Sequence, residues 1–293
     1  MGTAVAGVVL FGLLVVTPPF LARGPGDALG VVIAALGIFA ILQVVEFPFA
    51  FYQGYVLEHR YGLSTQSAGH WFVDQSKGVA LAAGLGVAAT SIVFALLRTA
   101  PAQWWWMSAS IFAVATIGLA QLAPVVLLPI FYKFKPLDRP ALVDRLMSLA
   151  TRANAGVVGV FEWVLSGHTR KANAALAGMG KTRRILLSDT LLADYSEDEI
   201  EVILAHELAH HVHRDLWRGI AVQALVLFGG FYVADVVLRA SLTGLGLRGL
   251  ADPRSLPLLM LVGGSWSFLA MPLANAVSRA QERAADRYAL TTT

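Results

Sequence analysis

The stretch His206-Glu207-Leu208-Ala209-His210 lies between long apolar segments and decides how the rest of the chain is interpreted. On a helix, residues four apart point to the same side, so the two imidazoles can reach one metal ion with Glu207 beside them. This spacing is typical of catalytic zinc sites, where the metal activates water and a carboxylate accepts its proton. The alternative is a chance match, which any short motif allows.

The residues before this motif favour a helix. Residues 197–201 are mostly acidic and lead into the apolar run 203–205, as expected where carboxylates stabilise the positive end of a helix. Ser196 is the expected N-cap. We expect the helix to continue beyond the motif toward the next apolar segment.

The composition is that of an integral membrane protein. Hydrophobic residues make up 57% of the chain and charged residues only 14%, against roughly 25% charge in soluble domains. Windows of about 20 apolar residues mark membrane spans. Six such windows are residues 3–21, 28–52, 78–97, 105–131, 219–238 and 256–274. We interpret the first as an uncleaved anchor, since no basic residue precedes it and no convincing cleavage site follows it.

These spans predict a mainly α, polytopic membrane protein with about six transmembrane helices and a small α+β zinc-protease insert that carries a short β-sheet. Residues 1–132 are expected to be an N-terminal transmembrane region with four spans. Residues 133–214 are expected to be a cytoplasmic catalytic insert that includes the zinc helix. Residues 215–293 are expected to hold two further spans and a helix with the third zinc ligand.

Periodicity indicates the elements of the insert. Apolar residues at helical spacing in 140–155 predict an amphipathic helix. Residues 157–165 and 172–187 predict short strands, the second interrupted by a turn at 178–181.

Basic residues indicate the orientation in the membrane. Alternation of the six spans puts most of the 22 basic residues on the side that carries the zinc motif. Because loops rich in Lys and Arg stay in the cytoplasm, the motif is expected to face the cytoplasm. The Arg-rich composition favours a bacterial source, and therefore the bacterial inner membrane.

Composition also limits the partners and ligands. The net charge of +3 and the scattered basic residues give no support for nucleic-acid binding. The chain has no cysteine, so metal ligands must be histidines and carboxylates. Nothing in the sequence indicates the oligomeric state.

Glu282 is the best candidate for a third zinc ligand. On a helix, Arg279, Glu282 and Asp286 share one face. Asp286 can then accept a hydrogen bond from the outer ring nitrogen of a ligand histidine and fix its tautomer. The alternative is a polar helix end with solvated charges, which is less favoured once a histidine pair needs a carboxylate.

Other polar residues are expected to have other roles. His213 lies ~10 Å along the helix from His206, which is too far to ligate the same ion. Glu46 and Asp235 fall within predicted spans, where carboxylates line a watery cavity or pair internally, and Glu46 could instead reach the interface.

Three separated blocks of sequence resemble the type I CAAX prenyl endopeptidases, membrane zinc metalloproteases of the gluzincin group. The first block is Glu58-His59-Arg60-Tyr61-Gly62 with Gln66 and residues 72–78; the second is residues 172–174 with Gly178 and residues 184–192; the third is the two zinc motifs, with Asn275, Ser278, Arg279, Glu282 and Asp286. The resemblance extends from about Glu46 to Asp286, and it is specific because the motifs occur in the same order.

The resemblance implies one Zn²⁺ per chain, held by His206, His210 and Glu282, with Glu207 as the general base. Asp286 and Arg279 would support these ligands from outside. It also implies that Asn173 and Ala174 lie on a strand that pairs with an extended peptide substrate, as in β-augmentation. Such a substrate would be lipid-modified or membrane-proximal, at a chamber walled by transmembrane helices in the lipid bilayer.

The sequence departs from the family pattern in two places. The family continues, beyond the position of Asp286, into a segment whose histidine helps to hold the developing oxyanion. One expectation is a shortened version with weak activity, and the other is that a residue such as Arg279 or His168 substitutes for that histidine. Ala209-His210-His211 also stands where the family has Gly-His followed by an aromatic residue.

The leading hypothesis is therefore a zinc metalloendopeptidase that cleaves lipid-modified (CAAX-like) or membrane-proximal substrates. One alternative is a quality-control protease of low specificity that degrades damaged membrane proteins. Another is a non-catalytic membrane scaffold that holds zinc. A transporter is less favoured, since the spans contain few charges and no inverted repeat.

Overall fold

A computed structural model describes residues 2–16, 28–122, 126, 128–178 and 180–293, and it is mainly helical. The helices are α1 (Gly2–Val16), α2 (Ala28–Phe51), α3 (Glu58–Arg60), α4 (Ala68–Thr99), α5 (Trp104–Leu122), α6 (Leu128–Phe131), α7 (Pro140–Arg152), α8 (Asp189–Asp194), α9 (Glu197–Val212), α10 (Asp215–Ser241) and α11 (Leu256–Thr292). A π-helical segment, Tyr52–Leu57, joins α2 to α3, and 3₁₀ turns occupy Gly180–Thr182 and Pro253–Ser255. The strands are β1 (Lys133–Pro136), β2 (Val160–Val164), β3 (Ala174–Ala177) and β4 (Arg184–Ser188).

Apolar helices account for the predicted membrane spans. Four helical runs are long and apolar enough to cross a membrane: Ala28–Arg60, Ala68–Thr99, Asp215–Ser241 and Pro253–Thr292. Val5–Val15 and Trp104–Ala120 are shorter apolar helices at the other two predicted positions. Residues 17–21 of the first predicted span lie outside the described residues, as do residues 123–125 and 127 of the fourth.

The described residues form two compact units. One comprises Met1–Leu57, Ala68–Ala113 and Gln223–Pro272, and the other comprises Glu58–Ser67, Val114–Val222 and Leu273–Thr293. The division at residues 132 and 214 expected from the sequence describes order along the chain and stays a prediction.

The first unit has an apolar core built from several membrane helices, with Ile38, Phe94, Trp104 and Leu238 fully buried. The carboxylate of Asp235 is paired inside this unit, as the sequence predicts for a charge within a span. It accepts hydrogen bonds from the indole Nε1 of Trp104 at 2.5 Å and from Nε of Arg239 at 2.9 Å.

The second unit contains a four-stranded sheet in the order β1-β2-β4-β3. Strands β2 and β4 pair in parallel, while β1 and β3 pair antiparallel at the two edges. The sequence analysis did not predict β1. Its sequence Lys-Phe-Lys-Pro has no apolar run that would predict a strand. Lysine and proline suit an edge strand, because they discourage pairing with a further strand.

Helix α7 covers the sheet through the apolar stripe predicted for residues 140–155. Leu142, Leu146 and Leu149 are buried against Leu204 and Leu208 of α9, in one core that also contains Ile185 and Leu187 of β4. This packing fixes α9 on the sheet and leaves the opposite face of α9 free to carry polar side chains.

A capping residue marks the start of α9, and a left-handed residue marks its end. Ser196 is the N-cap, as predicted, and forms a capping box in which its hydroxyl accepts from the backbone of Glu199 while the Glu199 carboxylate accepts from Ser196. The expectation that the helix continues into the next span is wrong. Arg214 has a φ of 57°, and this left-handed residue ends α9 before α10 begins at Asp215.

Two substitutions of Arg214 test its left-handed backbone conformation. Arg214→Gly should be tolerated, whereas Arg214→Val should have a free energy of unfolding about 1–2 kcal/mol lower than the glycine variant, because a side chain clashes with its backbone at positive φ. Chemical unfolding of the detergent-solubilised variants measures the difference.

Ser148, an exposed residue within α7, provides the control. Glycine there should be less stable than valine, since glycine is the poorer helix former. The same order at both positions would contradict the assigned backbone conformation.

Candidate metal centre

Two helices far apart in sequence bring the candidate ligands together in the second unit. Nε2 of His206 on α9 lies 3.3 Å from a carboxylate oxygen of Glu282 on α11. Nε2 of His210 lies 3.9 Å from the other oxygen of Glu282. The ligand atoms of these three residues all lie within 4.8 Å of one another.

The small residues of α11 explain how it comes this close. Ala285, Asp286 and Ala289 lie three, four and seven positions after Glu282, so all four residues share one face of the helix. Ala285 is fully buried, and Ala289 joins the core that includes Leu208 of α9. Alanine lets the two helices approach, so that the carboxylate of Glu282 reaches the histidines.

The outer ring nitrogens of both histidines face aspartates. Nδ1 of His206 lies 2.9 Å from Asp286, and Nδ1 of His210 lies 2.9 Å from Asp215. A carboxylate accepts a hydrogen from Nδ1, which leaves the lone pair of each Nε2 directed at Glu282. The rings are therefore held in the tautomer that a metal ligand requires.

The donor set fits a zinc ion. Two donors about 2.1 Å from a tetrahedral ion are about 3.4 Å apart, close to the observed 3.3 Å and slightly less than the 3.9 Å between the histidines and Glu282. Two imidazoles and one carboxylate are the ligand chemistry of catalytic zinc with an open fourth position.

Glu207 is half-buried on the same helix, next to the candidate ligands. Burial raises the pKa of its carboxyl group, His210 and His206 partly offset this rise, and Glu282 adds to it. A raised pKa suits a group that must accept a proton and release it again near neutral pH.

The predicted substrate-binding residues lie at a sheet edge. Ala174 begins β3, which pairs with β4 on one side only and packs beside α9. Asn173 precedes it; its N–H donates to the Ser188 hydroxyl at 2.8 Å, and its carbonyl accepts from the Ser188 N–H at 2.9 Å. Among the strands that the structure describes, β3 is therefore an edge strand of the sheet.

Two other candidates are not brought to this cluster. Arg279 is exposed, and within the described ranges it forms no hydrogen bond or ion pair with the candidate ligands. The His168 ring packs against Tyr132, with ring centroids 5.3 Å apart. Their roles stay predictions.

Sequence reasoning missed Asp215. Each residue of a continuous helix is rotated by about 100° from the one before it. In such a helix the side chain of Asp215 would point about 140° away from that of His210. The left-handed Arg214 instead starts a new helix and returns the carboxylate to the ring. The signal available in the sequence was an acidic residue just after the motif, at the start of an apolar helix.

Comparison with known proteins identifies the family. The profile of peptidase family M48 matches residues 136–293. The chain belongs to peptidase family M48. A second profile, the CAAX prenyl protease N-terminal region with five membrane helices, matches residues 4–133, where the sequence analysis predicts four spans. These matches confirm the family resemblance, and membership implies a metal ion at the site.

Individual M48 relatives and a solved structure are similar over most of the chain. An uncharacterized metalloprotease, YhfN of Bacillus subtilis, is 32% identical over 81% of this chain and 57% of its own length. The CAAX prenyl protease 1 homolog of Arabidopsis thaliana is 32% identical over 67% of this chain and 47% of its own length. The chain thus spans about half the length of these curated relatives.

The crystal structure of S. mikatae Ste24p superimposes with a TM-score of 0.80 at 26% identity, covering 89% of this chain and 65% of that one. This match confirms the mainly α, polytopic membrane fold with a small sheet insert. Together with the apolar helices, it identifies an integral, multi-pass membrane protein.

Ser188 offers a test of how β3 is held beside the site. Its buried hydroxyl accepts hydrogen bonds from the backbone of Asn173 at 2.8 Å and of Leu191 at 3.1 Å. We expect Ser188→Ala to lower the free energy of unfolding by about 1–3 kcal/mol, because buried donors lose their acceptor. Hydrogen exchange should also become faster at Asn173. Ser148→Ala is the exposed control, and equal effects of the two substitutions would contradict this role.

Proposed function

We propose that this M48 protein is a zinc metalloendopeptidase that hydrolyses peptide bonds of lipid-modified or membrane-proximal substrates. The observation that carries the proposal is the convergence of His206, His210 and Glu282, with Glu207 on the same helix as the histidines. A structural zinc site is normally closed by four protein ligands, whereas three ligands with a neighbouring carboxylate are typical of hydrolysis.

One zinc ion per chain would be held by His206, His210 and Glu282. When bound, it supplies Lewis-acid activation of water and of the peptide carbonyl. The ion-pair distances of 3.3 Å and 3.9 Å between the histidines and Glu282 support this ligand set.

Glu207 would act as the general base and then as the general acid. Its carboxylate takes the proton from the attacking water and returns it to the amine nitrogen of the leaving peptide. The partial burial of Glu207 supports its role as a base, because a raised pKa makes its carboxylate a stronger acceptor for the proton of water.

The substrate would lie in extended form along β3. The backbone N–H and C=O groups of β3 that do not pair with β4 would bind a peptide strand of any sequence. Asn173 would hold the start of β3 in place, because both of its backbone groups are bonded to Ser188. An edge of this kind holds a peptide mainly through its backbone, so preference must come from side-chain pockets or from the substrate's attachment to the membrane.

Membrane attachment of the substrate is supported by the fold and by the relatives. Several are named CAAX prenyl protease 1 or its homolog, and this chain has helices suited to the lipid bilayer. We further propose that the site faces the cytoplasm, from the distribution of Lys and Arg, in a bacterial inner membrane.

Glu207→Gln tests the assigned base. We expect the cleavage rate to fall about 10²–10⁴-fold, the usual contribution of general acid–base catalysis, while zinc content stays unchanged. Peptide cleavage and metal analysis of the same purified sample give both quantities. Undiminished turnover would remove Glu207 from the mechanism.

Glu282→Ala tests the third ligand. We expect zinc affinity to fall by more than the roughly 10–100-fold that loss of an outer hydrogen-bond partner costs, because a direct ligand is lost. Glu197→Ala, at an exposed acidic residue of α9, is the matched control. Equal zinc affinities for the two variants would exclude Glu282 from the ligand set.

Paired substrates test the membrane attachment. A prenylated peptide and its unprenylated counterpart are compared in vesicles and in detergent. Preference for the prenylated peptide in both supports recognition of the lipid itself. Preference only in vesicles supports membrane proximity, and equal cleavage of both peptides everywhere contradicts the proposed substrate class and favours low-specificity degradation.

A further inference from the structure

The side chain of Asp215 is buried against His210, although Asp215 is not one of the candidate metal ligands. Its Oδ2 lies 2.9 Å from Nδ1 of His210, and the side chain is only 5% exposed. A buried carboxylate is costly unless it is well paired. Its partners here are His210 and, at 3.4 Å, Nη1 of Arg218. Burial excludes competing water, which makes the hydrogen bond between the carboxylate of Asp215 and His210 strong.

We propose that Asp215 is a positioning residue that fixes the ring of His210 for metal binding and couples the two helices that carry the ligands. The inference rests on the proposed metal site and adds to it a residue outside the ligand set. Asp215 acts through His210, so it touches neither the metal nor the substrate.

The break between α9 and α10 makes this contact possible. His213 caps α9 in ordinary helical geometry, and Arg214, with a φ of 57°, interrupts the helix. Asp215 is then the first residue of α10. It lies five positions after His210, and its carboxylate faces the imidazole. The left-handed residue thus brings a carboxylate to a ring that a continuous helix would leave without one.

The backbone of Asp215 links the same corner to α11. Its carbonyl oxygen accepts a hydrogen bond from the side-chain amide of Gln281 at 3.4 Å. Gln281 directly precedes Glu282 in sequence. A single residue therefore contacts the ring of one ligand through its side chain and the helix of another ligand through its backbone. A shift of this corner would move His210 and Glu282 relative to each other.

Asp286 is the natural comparison, because it makes the equivalent contact with His206. Both aspartates lie 2.9 Å from an Nδ1 atom, but the side chain of Asp286 is 66% exposed. Water can replace an exposed acceptor at little cost, whereas loss of a buried acceptor leaves the N–H without a partner. Of the two aspartates, Asp215 should contribute more to metal affinity.

The test is zinc affinity of the full-length protein in detergent, measured by competition with a chromophoric chelator. We expect Asp215→Ala to weaken zinc binding about 10–100-fold, the usual cost of losing the group that orients a ligand histidine. Asp286→Ala should weaken it less. Asp194→Ala, at an exposed aspartate of α8, is the matched control and should bind as the wild type does.

Asp215→Asn provides the conservative variant. Its amide oxygen can still accept from Nδ1, so its affinity should fall between those of wild type and Asp215→Ala. The visible absorption of bound Co²⁺ reports the coordination geometry directly. It should shift in Asp215→Ala and be largely restored in Asp215→Asn. Loss of fold stability alone would not give this partial rescue, and thermal unfolding of the metal-free variants measures that loss separately.

The outcomes separate this inference from the proposed function. If wild type binds no zinc, or binds it as tightly after His210→Ala, the proposed metal site is wrong. If wild type binds zinc and Asp215→Ala binds it equally well, only the role of Asp215 is wrong. If Asp215→Ala does not fold, Asp215→Asn decides: weaker binding than Asp194→Ala supports the role, and equal binding contradicts it.

Discussion

The approach of α11 to α9 is the constraint on which the rest of the molecule depends. Glu282 must lie within a few ångströms of two imidazoles that precede it by more than 70 residues in the chain. Polar groups gain little from approaching each other in water, so apolar packing has to supply the force. It does so through buried Ala285 and Ala289 on α11 and the leucines beneath α9. The candidate metal ligands therefore lie at the rim of an apolar core to which they do not themselves belong.

The sheet supports the motif helix and positions the edge strand β3 beside it. Its central strands, β2 and β4, are covered by α7 and α9, which makes them rigid. Its edge strand β3 is held at one end by Ser188 and lies beside the motif helix. A peptide that pairs with this edge would be presented to Glu207 in a fixed direction. A packed sheet with an edge strand beside the motif helix is compatible with the proposed recognition of an extended peptide through its backbone.

The sequence predicts those features that depend on local patterns. The histidine spacing, the cap at Ser196, the stripe of α7 and the apolar windows are all short-range signals, and the structure contains each of them. Glu282 was proposed as the third ligand because a histidine pair in a chain without cysteine suits a carboxylate, and the structure places it beside both histidines. Asp215 was missed because one backbone angle at Arg214 decides its direction, and arginine gives no sign of positive φ. Strand β1 was missed because its pairing with β2 is a tertiary contact.

Exposure of the carboxylates at the site has a consequence for how the protein acquires its metal. The side chains of Glu282 and Asp286 are 54% and 66% accessible to water, and those of His206 and His210 are 24% and 28% accessible. An ion arriving from solution would therefore meet accessible carboxylates and partly accessible imidazoles. Loading of such an ion would need no opening of the apolar interior, so it could take place in the folded chain.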